Sequence, residues 1–180
     1  MNKQSKFRIS HAIFALITIG VASSISLIGG IGIEMVNTEL VQIVPLLIAL
    51  PALNSAVGDY ATIIAAHAGD PGQRKRSRKE LIKAVATALS FSITFILAMS
   101  ILLASHRDYQ FSGDTLIKFL LFVPISMISV VIIMFFITFS LDALLLRAKW
   151  NPDDVLIAVV TTISDIFMLG MIALAVRYLF

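Results

Sequence analysis

Five apolar runs, each long enough to cross a lipid bilayer, leave this chain little freedom of architecture. They extend from about Ile9 to Met35, Leu40 to Ala68, Leu81 to Ser105, Leu116 to Ala148 and Val155 to Phe180. A hydrocarbon core about 30 Å thick is spanned by roughly 20 helical residues, so five spans with short connections nearly exhaust the 180 residues. Helix is the expected state, because lipid offers no partners for unpaired backbone and the runs lack the polar/apolar alternation of barrel strands. Composition agrees: 58% of residues are hydrophobic and 14% charged, with a mean hydropathy of +0.95, values that exclude a soluble domain with a solvated surface. The absence of cysteine excludes disulfides, thiolate metal sites and cysteine nucleophiles. The expectation is an all-α integral membrane protein of the cell membrane, multi-pass, with residues 1–180 forming one domain. Lys3, Lys6 and Arg8 ahead of the first run imitate a signal peptide, but the run is long and Gly29, Gly30 and Gly32 provide no convincing cleavage site, so it counts as a span.

Orientation follows from the basic residues. The densest cluster, Gln73-Arg74-Lys75-Arg76-Ser77-Arg78-Lys79-Glu80, lies between spans two and three, on the same side of a five-span chain as Lys3, Lys6, Arg8, Arg147 and Lys149. Glu34, Glu39, His106, Arg107, Asp108 and Asp114 lie on the other. This places the N-terminus in the cytoplasm and the C-terminus outside. The cluster is short and lies between spans, so it reads as a topological signal and not as a nucleic-acid surface.

Two carboxylates inside the apolar runs carry the functional information. An ionised side chain near the bilayer centre costs roughly 2.5–3.5 kcal/mol on insertion-derived scales, so such groups face a polar cavity or an ion path. Asp59 lies in span two behind Pro45, Pro51, Asn54, Ser55 and Gly58, with Ser55 and Asp59 four residues apart on one helix face. Prolines free backbone carbonyls that must be satisfied by protein or a watery cavity. Asp165 lies in span five, with Thr161 and Thr162 one turn earlier. The start of that span is marked by Asn151 as a cap, Pro152 at the first helical position, and Asp153 and Asp154 at the positive end of the helix dipole. Ten residues separate Val155 from Asp165, about 15 Å of helix, and Asp59 is about 13 Å from the same side. The two carboxylates can therefore share one level.

The stretch from Pro51 to Gly58-Asp59 resembles the proline-to-Gly-Asn signature of the MgtE family of magnesium transporters and their eukaryotic solute-carrier relatives. Asn151-Pro152-Asp153 followed by Thr161-Thr162-Ile163-Ser164-Asp165 resembles that family's final span, with its Pro-Asp start and Thr-Thr-x-x-Asp core. The resemblance covers nearly the whole chain. It implies a homodimeric pore lined by spans two and five, with the carboxylate at Asp165 facing hydrated magnesium, and a membrane domain without the cytoplasmic sensor domains of bacterial members. It resembles one unit of the duplicated eukaryotic proteins, so two chains would supply the pore. Here the family's Gly-Asn is Gly58-Asp59, which adds a charge, and the approach to it is Asn54-Ser55-Ala56-Val57.

The expected metal-contacting set is Asp165, Asp59, Asn54, Ser55, Thr161 and Thr162, with Asp142 as a further candidate near the cytoplasmic end of span four. No cofactor is expected. Magnesium is the expected cargo, with manganese, cobalt and calcium as alternatives, because hard oxygen ligands around a hydrated ion suit all of them. The expected partners are the bilayer, the divalent cation and a second copy of the chain. The competing readings are an intramembrane hydrolase with a two-aspartate site, which the lack of Gly-x-Gly-Asp and Tyr-Asp motifs disfavours, and a noncatalytic assembly subunit. His11, His67 and His106 show no metal-binding spacing, Glu34 flanks the outer mouth, and Ala22, Ser26 and Gly30 form a small-residue packing face. Trp150, Tyr109 and Tyr178 suit the membrane interface.

Overall fold

A helix satisfies its own backbone, and runs as apolar as these need only pack one stripe against neighbours while the rest faces lipid. The computed structural model, which describes residues 20, 21, 23–69, 78–147 and 156–180, is helical throughout these segments apart from turns. The helices are α1 (Ser23–Glu34), then α2 (Asn37–Leu40), α3 (Val44–Gly69), α4 (Arg78–His106), α5 (Gly113–Arg147) and α6 (Leu156–Tyr178). Four of them, α3 to α6, are long and apolar enough to cross a membrane. They correspond to spans two to five. Within the first expected span, the described part of α1 is a shorter apolar helix, Gly20 and Val21 are helical ahead of it, and residues 9–19 and 22 lie outside the described residues, as do Gln73, most of the basic cluster, Trp150 and the Asn151–Asp154 helix start.

The second run is divided. Its apolar character from Leu40 is interrupted only by Gln42 before Asn54, but α2 ends at Leu40 and the chain turns at Val41–Ile43 before α3 begins. Pro45 therefore occupies the first turn of α3, where its missing N–H costs nothing, and Pro51 is the proline inside the helix. At the far end of α4 the Asp108 backbone has φ 55°. The N–H of Asp108 donates to the Ser105 carbonyl and that of Tyr109 to the Ala104 carbonyl, the pair of bonds that closes a Schellman motif. Ser112 caps α5, its Oγ accepting from the Thr115 N–H at 3.1 Å.

α3 is the central helix and packs against α4, α5 and α6. Its buried residues Leu46, Ala49, Leu53, Val57, Ala61 and Ile64 meet Phe119, Val123, Met127, Val130 and Met134 of α5, together with Val160, Met168 and Ile172 of α6, in one core. Large apolar side chains such as Phe91, Phe95, Ile117, Phe136 and Leu174 point outward, the reverse of a soluble protein and the arrangement that lipid requires. The Tyr60 hydroxyl and Ser92 Oγ, 2.7 Å apart, join α3 to α4. Asn54 meets Asp165 and Thr62 meets Thr161, so the chain advances along α3 as it runs back along α6 and the two helices are antiparallel.

Candidate cation site

The polar side chains of α3 and α6 meet midway along both helices. Asp165 is nine residues beyond Leu156, about 14 Å of helix and so close to the half-thickness of the hydrocarbon. Asn54 Nδ2 donates to Asp165 Oδ1 at 3.3 Å. The opposite amide orientation would set a carbonyl against a carboxylate, so the chemistry itself fixes which end faces Asp165. Asn54 Oδ1 is then buried with no protein partner among the described residues, one of few such groups a packed interior tolerates.

One and two turns along α3, Gly58 and Thr62 continue the contact. A Cβ placed on Gly58 would be 3.6 Å from both Asp165 Oδ1 and Thr161 Cγ2, so the glycine lets the helix backbone come up against the carboxylate. Thr62 and Thr161 hydroxyls are 3.3 Å apart. The hydroxyls here also bond to their own helices: Thr62 donates to the Gly58 carbonyl, Thr161 to Ile157, Thr162 to Ala158 and Ser164 to Thr161, at 2.7–3.0 Å. A hydroxyl has a single proton, and with it spent on the helix the oxygen presents lone pairs to its surroundings.

The result is a recess of about 430 Å³ lined by Ser23 and Ser26 of α1, Thr62 of α3, and Ile157, Ala158, Thr161, Thr162 and Asp165 of α6. Of the residues expected from sequence, the structure brings Asp165, Asn54, Thr161 and Thr162 together. Ser55 and Asp59 are elsewhere: both are exposed on α3. Since Gly58 faces Asp165, the next residue is turned about 100° around the helix, and Asp59 shares Asp165's level without sharing its face. Asp142 is buried on α5 and is not among the residues lining the recess. Ser23, Ser26 and Thr62 are additional polar lining. Ser26 read as a packing residue, and the only signal that it does more is its hydroxyl on an otherwise small and apolar face. Among the described residues, no three His, Asp or Glu side chains come together as a metal-chelating group.

The sequence model of the MgtE family, described as a divalent cation transporter, matches residues 50–175, most of the chain. The chain belongs to the MgtE family. The matched stretch runs from within α3 to near the end of α6, so Asn54, Gly58, Thr62, Thr161, Thr162 and Asp165 lie inside the MgtE match, and Ser23 and Ser26 lie outside it. MgtE proteins are divalent cation transporters and not enzymes, and with four helices able to span a membrane this chain is a membrane protein. It matches none of the curated proteins and none of the solved structures with which it was compared.

Proposed function

We propose that this MgtE-family chain forms a homodimeric pathway for a hydrated divalent cation, magnesium first, with manganese and cobalt as alternatives, lined by α3 and α6. The observation that carries the proposal is the Asp165 carboxylate at mid-span, held by Asn54 and set among Thr62, Thr161 and Thr162 in an open polar recess. One carboxylate ringed by hydroxyl oxygens suits an ion that keeps its water, because magnesium dehydrates reluctantly and is usually held through one or two carboxylates plus waters. The waters on the cation would donate to Asp165 and to the threonine oxygens, and the carboxylate would supply the attraction that makes entering the bilayer favourable.

Asp59 supports the dimer. Ala52, Ser55, Asp59 and Ala66 are exposed along one face of α3, with Ile63 the large apolar residue among them, and small residues allow close helix approach. A carboxylate left facing lipid would bear the full insertion cost, whereas a second copy meeting this face about a two-fold axis would place it in a shared polar path. In this reading Asp59 tunes the charge of the pathway and Asp165 attracts the ion. The different faces of Asp59 and Asp165 favour transport over a two-aspartate hydrolase, which needs both carboxylates on one substrate atom. The same proposal takes the chain as one five-span domain of the cell membrane, with the N-terminus cytoplasmic and the C-terminus outside, on the positive bias of the loop around Arg74–Lys79.

The test is magnesium and manganese flux into proteoliposomes containing the pure chain. Asp165→Asn keeps the side-chain shape and removes the charge, so most divalent flux should disappear while helicity and assembly persist. Unchanged flux in a folded Asp165→Asn protein would remove this residue from the pathway.

A further inference from the structure

A second and larger cavity, about 930 Å³, lies between α4 and α5 on a different face from the cation recess. Its walls are apolar: Ile82, Leu89 and Ile93 from α4 and Ile128, Phe135 and Phe136 from α5. Ser90, also in the lining, donates its hydroxyl to the Ala86 carbonyl and adds little polarity. The two helices are antiparallel here, with Arg78 opposite Phe139 at one end and Ile93 and Ile128 at the other. Fifteen residues from Arg78 to Ile93 make a groove about 22 Å long, somewhat more than the ~15 Å hydrocarbon depth of one leaflet.

One end of the groove is cationic. The Arg78 guanidinium carbon lies 4.6 Å from the Phe139 ring centroid. An arginine held over a ring face by its guanidinium carbon still has N–H donors in its own plane, which can take a phosphate. Lys79 and Lys83 follow Arg78 in the first two turns of α4, with Glu80 among them and Asp142 buried on α5 one turn from Phe139, so the cations of this end outnumber its acids three to two. A slot somewhat longer than one leaflet is deep, open to lipid along Ile82, Ile128 and Phe136 and ending at an exposed arginine, matches one ligand class in both shape and charge.

We propose that the α4–α5 groove binds an anionic phospholipid, one acyl chain lying between the helices and the headgroup phosphate held by Arg78. A second copy of the chain fits the groove less well. Two copies inserted in the same direction have Arg78 at the same depth, so an isologous contact along this face brings like charges to one level and sets a concave surface against a concave surface. The site uses α4 and α5 and is independent of the Asp165 pathway.

Native mass spectrometry of the full chain, released from micelles with equal phosphatidylglycerol and phosphatidylcholine of identical acyl chains, tests the site. The wild-type chain should retain phosphatidylglycerol preferentially. Arg78→Gln should reduce that preference about fivefold, the equivalent of the ~1 kcal/mol that one cation near an anionic membrane surface contributes. Ala86→Phe, which narrows the slot, should lower retention of both lipids. A thiol introduced by Ile132→Cys should be shielded from a maleimide by bound phosphatidylglycerol. Equal retention of the two lipids by the wild-type chain, or a preference unchanged by Arg78→Gln, would overturn the proposal. Disulfide-linked dimers through Ile132→Cys would do the same, by assigning the groove to a second copy.

Discussion

Replacing Asn54 with leucine separates what this residue does for stability from what it does for Asp165. The side chain makes one interhelical bond, Nδ2 to Asp165 Oδ1 at the long distance of 3.3 Å, and leaves its own Oδ1 buried without a protein partner. Side-chain hydrogen bonds between membrane helices average about 0.6 kcal/mol and reach about 1.7. An unpaired buried acceptor costs about 1–3 kcal/mol. Asn54→Leu removes both the bond and its own orphan but takes the donor from the half-buried Asp165 carboxylate, so the terms largely offset and stability should change by no more than about 2 kcal/mol in either direction. Asp165, by contrast, loses the donor that orients it. If the same 0.6–1.7 kcal/mol is what that donor contributes to holding the carboxylate for the ion, divalent flux falls roughly 3- to 20-fold at 1.36 kcal/mol per decade. Denaturant unfolding in detergent and magnesium flux in proteoliposomes, measured on one preparation, give both numbers. A loss of more than about 2 kcal/mol with flux unchanged would refute the reasoning, because Asn54 would then be a packing residue.

Three further outcomes follow from the same geometry. Gly58→Ala should fold and transport, since its Cβ would meet Asp165 and Thr161 at 3.6 Å, an ordinary contact, whereas Gly58→Val should push α3 from α6 and cost about 1–3 kcal/mol in thermal or denaturant unfolding. Asp59→Asn should retain most divalent flux in the proteoliposome assay, in contrast to Asp165→Asn; equal losses in the two would make Asp59 a second essential contact. In this cysteine-free chain, single cysteines introduced at Gln73 and Ser112 should label with a membrane-impermeant maleimide from opposite faces, and labelling from one face would remove the five-span topology.

The long helices were legible in sequence because membrane spans are set by length and apolarity alone, and α4, α5 and α6 fall within a few residues of the expected runs. The turn at Val41–Ile43 is marked only by Gln42 and by Pro45, a first-turn residue, within a run otherwise apolar. Helix phase was the harder quantity. In a span apolar on all sides, nothing in the spacing tells which face meets a neighbour, and so Asp59 and Asp165 read as sharing a level while Gly58, one position away, is the residue that faces Asp165. The same ambiguity hid Ser23, Ser26 and Thr62, whose hydroxyls mean little until α1, α3 and α6 are placed side by side.

The four hydroxyl protons committed to helix carbonyls by Thr62, Thr161, Thr162 and Ser164 also bear on what is kept out. Chloride or phosphate can leave bulk water only for a place that offers N–H or O–H groups in return, and the threonine oxygens around Asp165 have none left to give, which leaves the Ser23 and Ser26 hydroxyls as the donors of the recess. A metal ion brings its donors along, in the waters it polarises. Rejection of anions would then rest on the backbone bonding of the spans as much as on the single charge of Asp165.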